Sequence, residues 1–544
     1  MKLLLKLLLS LILLFLILIS LGYGILRSQW GIAAACRWIS DATAYHLSIE
    51  RFTHSWSHPL TFELDNMTFG EDGQPALLIT DKLSFSLIAR QLLTPSHFGQ
   101  ITIKQGSLVL SNLTPEATLP FSADRLELQA VKLLNPYPTN CLSAKKIDGV
   151  VIPWQPSQQA VLGKKFTFNF SAENVHVGGR QFDKLIAQGD KDHQILTIHH
   201  LSGAVDRGTF EGQLERSAEG VWQIPYLALD NIRFQTEKPF VDMITQQLST
   251  DVTIKQLRVN HLSIVGPDWV INDLSAEGIN LRNSTPPEGK LSLNAGSLIL
   301  GTEEWSQPHL SLTGSGGNLH IDRFTAGWAK GTVSAEGEWQ EKERHLLLNQ
   351  LVFSNIHYVL PSAWQAFLQE KLPSFIDTIT LNTLRVDNGL LIDITPDFPF
   401  QMTATHITGN HLQIAQHHQW GIWGGDAEYY AATTTFNRQD VRALWFKIKA
   451  NSDSLKLQEI KALIGDGPVI GDVDIAQSSP RSFSLSLRGE KVPYSAFNHW
   501  FWQHPLQGTG NFDLKLEGNF SLADGVKSAQ GTFTTPTFTQ KKVP

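Results

Sequence analysis

The chain has 544 residues, of which 42% are hydrophobic, and its formal net charge at pH 7 is −7. This apolar content is sufficient for a folded core, so the composition excludes a disordered protein. The small acidic charge, without a long run of either sign, argues against a nucleic-acid partner. Only two cysteines occur, Cys36 and Cys141. Two cysteines are too few for a fold held together by disulfides. A single disulfide between them is possible in an oxidising compartment.

The first element along the chain is an apolar run, residues 7–26, which contains no Asp, Glu, Lys or Arg. As a helix it extends about 30 Å, the thickness of the hydrocarbon core of a bilayer. Lys2 and Lys6 precede the run and Arg27 follows it, and this slight bias predicts a cytoplasmic N-terminus. The body is then extracytoplasmic. A cleaved signal peptide is the competing interpretation.

Two tryptophans follow the run, Trp30 and Trp38. They lie close enough to the predicted span to sit at the level of the lipid headgroups, so both are candidate membrane-interface residues, with ordinary packing as the alternative. The apolar residues at positions 32–39 have helical spacing and predict that the helix continues outward.

The body predicts β-strands almost throughout, because apolar and polar residues alternate along it. The clearest segment is residues 510–522, and shorter copies occur at residues 83–87, 166–170, 291–300 and 483–487. Side chains on a strand alternate between faces, so each segment has one apolar and one hydrated face. This pattern is typical of antiparallel sheets, since covered parallel strands are apolar on both faces.

Turn signals separate these runs, at residues 72–73, 219–220, 388–389 and 466–467. Helices are few. Short ones are predicted at residues 239–248 and 361–372, each with Pro at its first position, and at residues 497–501. All three fit plugs, caps or crossovers on a sheet.

No catalytic, cofactor-binding or metal-binding residue is predicted, and we expect a protein that is not an enzyme. HExxH, Gly-x-Ser-x-Gly and phosphate-loop motifs are absent. The glycine-rich residues 313–318 predict a tight turn, and Asp472 and Asp474 predict solvent contact in preference to a cation. Six histidines are considered as metal ligands and are interpreted as surface residues: His199, His200, His406, His411, His417 and His418.

An apolar sheet face must be covered, and two arrangements do this. A second sheet gives a sandwich core. Alternatively the sheet curls into a trough whose apolar lining is filled by lipid acyl chains. Periodicity alone favours the sandwich.

Several sequence stretches favour the trough over the sandwich. A strand-rich segment, residues 59–70, follows the apolar run, and residues 74–76, 83–87 and 101–110 come next. Near the other end, Val492-Pro493 precedes a short helix and the segment Leu506–Gly518. In this order and content the chain resembles the AsmA family of Gram-negative envelope proteins. Residues 267–269, 396–399 and 420–423 narrow the resemblance to one type within that family.

The resemblance implies an inner-membrane anchor and a periplasmic body. The expected fold is mainly β, with a single N-terminal transmembrane helix followed by an elongated, curled antiparallel sheet that forms a trough, and a few short helices. The expected regions are a cytoplasmic N-terminus (1–6), the transmembrane helix (7–26), an N-terminal β region (27–160), a middle trough (161–480) and a C-terminal β region (481–544).

The resemblance also implies a function. The protein is expected to bind membrane phospholipid in an apolar groove and to contribute to lipid transport or homeostasis between the inner and outer membranes. The alternative is a scaffold or assembly factor that regulates the localisation or insertion of outer-membrane proteins; either function would bring lipid-transport or assembly proteins as partners. The groove candidates, taken from two alternating segments, are Phe483, Leu485, Leu487, Phe512, Leu514 and Leu516.

Overall fold

A computed structural model describes residues 2–54, 57–88, 94, 96–109, 119–135, 142–158, 160–177, 180–245, 252–282, 288–396, 398–478, 481–498, 506–521, 525–536 and 539–541. Four α-helices occur in this part of the chain: α1 (Lys2–Arg27), α2 (Gln29–Ala42), α3 (Phe240–Thr245) and α4 (Trp364–Phe367). A 3₁₀ helix follows at Tyr494–Phe497. The rest is dominated by strands, which confirms the prediction of a mainly β protein with few helices.

The described strands number 32 and run in chain order as β1 (Tyr45–Ser48), β2 (Arg51–His54), β3 (Thr61–Glu71), β4 (Leu78–Ser86), β5 (His97–Val109), β6 (Ser122–Asn135), β7 (Leu142–Ile152), β8 (Lys165–Val177), β9 (Arg180–Asp192), β10 (Ile195–Val205), β11 (Gly208–Arg216), β12 (Trp222–Asp230), β13 (Arg233–Gln235), β14 (Val252–Val265), β15 (Trp269–Arg282), β16 (Glu288–Asn294), β17 (Ser297–Leu300), β18 (Glu303–Ser315), β19 (Asn318–Trp328), β20 (Gly331–Gln340), β21 (His345–Ser354), β22 (His357–Val359), β23 (Thr378–Asp393), β24 (Phe400–Gln416), β25 (Gln419–Phe436), β26 (Gln439–Ala450), β27 (Ser454–Ile464), β28 (Gly467–Ala476), β29 (Arg481–Pro493), β30 (Thr509–Ser521), β31 (Gly525–Thr534) and β32 (Thr539–Lys541).

The chain divides into two compact units. The first unit comprises Met1–Arg233 with Thr250–Arg258, and the second comprises Phe234–Ser249 with Val259–Pro544. Each unit has its own hydrophobic clusters, and each is described by itself below.

The predicted single membrane-spanning helix is not supported. Within the described part of the chain, no single helix is long and apolar enough to cross a bilayer. The pair Ser10–Ile25 and Gln29–Asp41, bent by 86°, meets the length and composition criteria only together. Ser28 produces the bend as the N-cap of α2: its Oγ accepts a hydrogen bond from Gly31 N (3.1 Å) and donates one to Ile25 O (2.7 Å). The predicted outward continuation is therefore helical but turns away from α1.

Two-residue turns join many successive strands. Gly316 and Gly317 connect β18 to β19, and His417 and His418 connect β24 to β25, all four with positive φ. This geometry matches the twist of the flanking strands. The turn predictions at residues 72–73, 219–220, 313–318 and 466–467 are confirmed. The one at residues 388–389 is wrong, because β23 continues through it and the positive φ of Asn388 marks a bulge within the strand.

Most of the described strand pairs are antiparallel, as predicted, but three pairs are parallel. Strands β5 and β6 pair in parallel, and β21 and β22 both pair in parallel with β23. Parallel neighbours need a crossover connection. The segment after β22 provides one, since it contains α4 and returns the chain to the start of β23. The predicted helix at residues 361–372 is therefore reduced to the single turn of α4.

Polar side chains from neighbouring strands stabilise several bulges. Ala130 in β6 has φ 55°, and its N–H donates to Asp148 Oδ1 in β7 at 2.8 Å. Glu459 in β27 has φ 54°, and its N–H donates to Asp472 Oδ1 in β28 at 3.0 Å. A bulge leaves a backbone group without a ladder partner, and these carboxylates satisfy it. Asp472, whose sequence spacing also suited a cation, therefore has a structural role.

Candidate functional site

One face of the sheet in the second unit is apolar from β15 to β31. Residues directly opposite each other on paired strands point to the same face. Leu291 lies opposite Leu312, and Leu312 opposite Ile321. We call this face the second-unit lining. Its larger members are Leu291, Leu293, Leu310, Leu312, Ile321, Phe324, Leu346, Leu348, Leu351, Leu381, Leu384, Ile407, Tyr429, Phe446, Ile460, Val473, Leu485, Leu487, Leu514, Leu516 and Phe533.

The six predicted groove residues come together at the C-terminal end of this lining. Leu485 is opposite Leu516 and Leu487 is opposite Leu514, across the β29–β30 pair. Phe483 and Phe512 lie opposite glycines on the same face. All six belong to, or pack against, a single hydrophobic cluster. Alternation in the sequence therefore assigned them to one face correctly.

The 3₁₀ helix covers part of that cluster, and we call this cover the plug. The ring of Phe497 lies 4.8 Å from that of Phe512 in an edge-to-face arrangement and 5.6 Å from that of Phe533. Tyr494 Oη donates to Asn511 O at 3.0 Å and fixes the plug to β30. The predicted helix at residues 497–501 lies partly outside the described residues. Leu522 and Cys141 also lie outside them.

The six candidates fall into two groups by burial. Phe512, Leu514 and Leu516 are at most 4% exposed and are covered by the protein itself. Phe483, Leu485 and Leu487 are half-buried. Lipid contact stays a prediction for these last three residues.

In β16, β18 and β19 most of the lining lies outside the hydrophobic clusters of the described residues. Leu291, Leu293, Leu310, Leu312 and Phe324 are half-buried there, and none of them belongs to a hydrophobic cluster of the described residues. We call these five residues the open lining. The alternating pattern identified the first two in advance, whereas the other three were missed. The alternation of Leu310, Ser311 and Leu312 was the signal that could have found them.

An aromatic group lies on the same lining beside the open part. The rings of Trp305 and Trp328 are stacked at 5.4 Å, and Tyr358 lies 4.6 Å from Trp328. The Glu303 carboxylate accepts hydrogen bonds from Trp328 Nε1 and Tyr358 Oη, both at 2.9 Å. Burial, together with the hydrogen bond to Glu303, raises the pKa of Tyr358 to about 12.

Replacing Tyr358 by phenylalanine is expected to destabilise the protein by about 1 kcal/mol at neutral pH, because a hydrogen bond to a carboxylate is lost. An unfolded tyrosine has a pKa of about 10, so the folded state holds this proton more tightly. The stabilisation is complete below pH 10 and is lost as the pH rises towards 12. Thermal melts of the two proteins should therefore converge over this range; a constant difference would contradict the assignment.

The first unit carries its own apolar face, which we call the first-unit lining. Strand register places its members on one side: Phe62, Leu64, Leu83, Phe85, Ile101, Ile103, Leu126, Leu128, Val151, Phe168, Phe170, Ala187, Ile198, Leu201, Phe210 and Leu214. The part formed by β3 to β8 surrounds a buried cluster. In β10 and β11, Ile198, Leu201, Phe210 and Leu214 are half-buried.

The two membrane-interface candidates lie on α2. Trp30 is 70% exposed and Trp38 is 71% exposed, and neither packs into a core cluster of the described residues. A place at the membrane interface stays a prediction for both residues.

Four of the six histidines singled out from the sequence, His199, His200, His406 and His418, form local side-chain contacts. His199 Nε2 lies 2.6 Å from Asp190 Oδ1, and His418 Nδ1 lies 2.6 Å from Ile376 O. Asp474 pairs with Lys456 at 3.0 Å. In the part of the chain that the structure describes, no group of three or more His, Cys, Asp or Glu is placed to hold a metal ion.

Together these features define a class: a β-rich protein in which the sheet of each unit carries one apolar lining. The chain is 34% identical over 523 residues to the AsmA family protein YicH of Escherichia coli (strain K12), a match that covers 94% of this chain and 91% of the relative. No family model and no solved structure matches it. The chain belongs to the AsmA family. The narrower resemblance at residues 267–269, 396–399 and 420–423, to the YicH type, is confirmed with it.

Proposed function

We propose that this chain is an inner-membrane-anchored periplasmic protein that binds phospholipid acyl chains along its apolar linings. It thereby contributes to lipid transport or homeostasis between the inner and outer membranes. The observation that supports this most directly is the open lining, in which neighbouring leucine and phenylalanine side chains are half-buried and join no buried cluster of the described residues. An apolar face that the protein itself leaves partly uncovered is a candidate binding surface.

The energetics of such a groove favour exchange with a bilayer. Each methylene removed from water contributes about 0.8 kcal/mol, whether a membrane or a protein surface covers it. An acyl chain that leaves the bilayer and lies on the lining therefore changes its free energy little. No catalytic group is needed, because movement along a continuous apolar face breaks no covalent bond.

The N-terminal helices support a membrane location. The described apolar side chains of α1 are largely exposed, among them Leu11 at 62% and Phe15 at 64%. A helix that is hydrophobic around its circumference and uncovered by protein fits a lipid environment. The proposed anchor is the bent pair α1 and α2, which meets the length and composition criteria only together, with Trp30 and Trp38 of α2 at the headgroup level.

The second candidate function is a scaffold or assembly factor in the envelope. The cluster beneath the plug favours it locally, because Leu514 and Phe533 are at most 1% exposed and form an ordinary closed core. Under this alternative the linings are core throughout, and partners bind at strand edges.

Photocrosslinking in Gram-negative cells separates the two candidates. A photoreactive phenylalanine analogue replaces Leu312 on the open lining or its neighbour Ser311, which points to the opposite face of β18. We expect phospholipid adducts, detected by mass spectrometry, at position 312 and not at position 311. Protein adducts without lipid at position 312 would contradict lipid binding and support the scaffold.

A further inference from the structure

Two basic residues lie in one cross-strand row at one end of the first-unit lining, separated by a single strand. Lys191 is opposite Leu196 across β9 and β10, and Leu196 is opposite Arg216 across β10 and β11. The row continues to Phe166 on one side and Trp222 on the other. Since opposite residues share a face, both cations point to the apolar side of the sheet.

On the opposite face of the same strands, the nearest lysine is paired with a carboxylate. Lys165 Nζ lies 2.8 Å from Asp192 Oδ2, directly beside this row. Lys191 and Arg216, in contrast, have no ion-pair partner within 4.0 Å among the described residues. Arg216 Cζ lies 5.8 Å from the centre of the Trp222 ring, which supports the guanidinium without neutralising it.

A cavity of about 520 Å³ lies between these residues and the turn that follows Arg216. Arg216 Nη2 extends over this turn, 3.6 Å from the position that a Cβ would take at Gly220. Glu219 also lines the cavity, and a hydrogen bond with the Ser217 hydroxyl holds the pKa of its carboxyl below the usual value. That carboxylate is thus engaged within its own turn. The volume is typical of a small-molecule site.

We propose that Lys191 and Arg216 bind the phosphate group of a glycerophospholipid whose acyl chains lie on the adjoining first-unit lining. This rests on the proposed function. Charge complementarity supports the assignment, because a phosphate between two unpaired cations forms charge-assisted hydrogen bonds, and the arginine fork matches its oxygens. Ile198 and Leu214 lie next along the same face, so the tails leave the headgroup directly onto apolar side chains.

The test uses the full chain in detergent, titrated by native mass spectrometry. The probes are dihexanoyl-phosphatidylglycerol, dihexanoylglycerol (the same tails without phosphate) and glycerol 3-phosphate (phosphate without tails). The proteins are wild type, the double variant K191Q/R216Q and the control K165Q, which lies beside the row on the opposite face. We expect wild type and K165Q to bind the phospholipid about tenfold more tightly than dihexanoylglycerol, and the double variant to show no preference.

Each result separates this proposal from the proposed function. A phospholipid preference that survives in K191Q/R216Q would overturn the proposal, as would equal binding of both lipids by wild type; in either case lipid binding itself stands. Glycerol 3-phosphate binding as tight as that of the phospholipid, and lost in the double variant, would show that the site takes free phosphate and would overturn the lipid assignment. Failure of both lipids to bind any protein, together with no adduct at position 312, would refute the proposed function as well. Circular dichroism melts verify that the variants fold.

Discussion

Replacing Leu514 by alanine is expected to lower the free energy of unfolding by about 3–5 kcal/mol, more than the loss of any surface ion pair in this chain. Leu514 is 1% exposed, lies opposite Leu487 and Phe533 on neighbouring strands, and is part of the cluster beneath the plug. Its removal leaves a cavity that these packed neighbours fill only in part. Chemical denaturation of the full chain, followed by circular dichroism, measures the effect.

The matched control is the adjacent residue on the opposite face. Asp513 pairs with Arg488 at 3.0 Å near the surface. An exposed ion pair contributes at most about 1 kcal/mol, so Asp513→Ala should stay within that limit. Similar losses for both variants would contradict the assignment of faces in β30. Leu514→Asp is unsuitable as a test of lipid loading, since a carboxylate in this dry cluster would unfold the region directly.

Replacing Leu312 by aspartate is expected to reduce the phospholipid that copurifies with the full chain by about tenfold, with little change in the melting temperature. Leu312 lies in the centre of the open lining, opposite Leu291 and Ile321, and is half-buried. A carboxylate there stays hydrated in the free protein but must be desolvated beneath an acyl chain. Lipid extraction and mass spectrometry give the amount per chain.

Ser311→Asp is the control for this prediction. It adds the same charge one residue away, on the face that also carries Arg323. Its lipid content should equal that of wild type. Equal losses from Leu312→Asp and Ser311→Asp would indicate a general effect of charge, and unchanged lipid in Leu312→Asp would remove the open lining from the binding surface.

Alternation in the sequence predicted which way side chains point but not what lies over them. The pattern of residues 510–522 assigned Phe512, Leu514 and Leu516 to one face, and the structure confirms that face. The pattern carries no information on the plug, because the cover comes from residues that follow Pro493 and pack by tertiary contact. Three residues of the open lining were missed because the sequence pattern does not show which apolar side chains lack a covering segment.

A short sequence motif can also fit two different backbone structures, such as a hairpin turn and a β-bulge. Asn388-Gly389 supplies the positive φ of a hairpin turn, yet a bulge inside a long strand uses the same conformation. Only the pairing of β23 with β24 decides between them. The parallel pairs were missed because a strand with one apolar face also pairs in parallel where a crossover connection returns the chain to the same end of the sheet. The bend at Ser28 follows from a capping serine within an otherwise uninterrupted helical pattern.

The succession of hairpins in the second unit has a consequence for how such a chain changes length. In the described pairings each strand from β24 to β28 pairs with the strand before it and the strand after it. Deleting or duplicating two consecutive strands leaves every remaining strand antiparallel to its new neighbour, with its apolar side unchanged. A gene for such a protein can therefore lengthen or shorten by whole hairpins without requiring a new core.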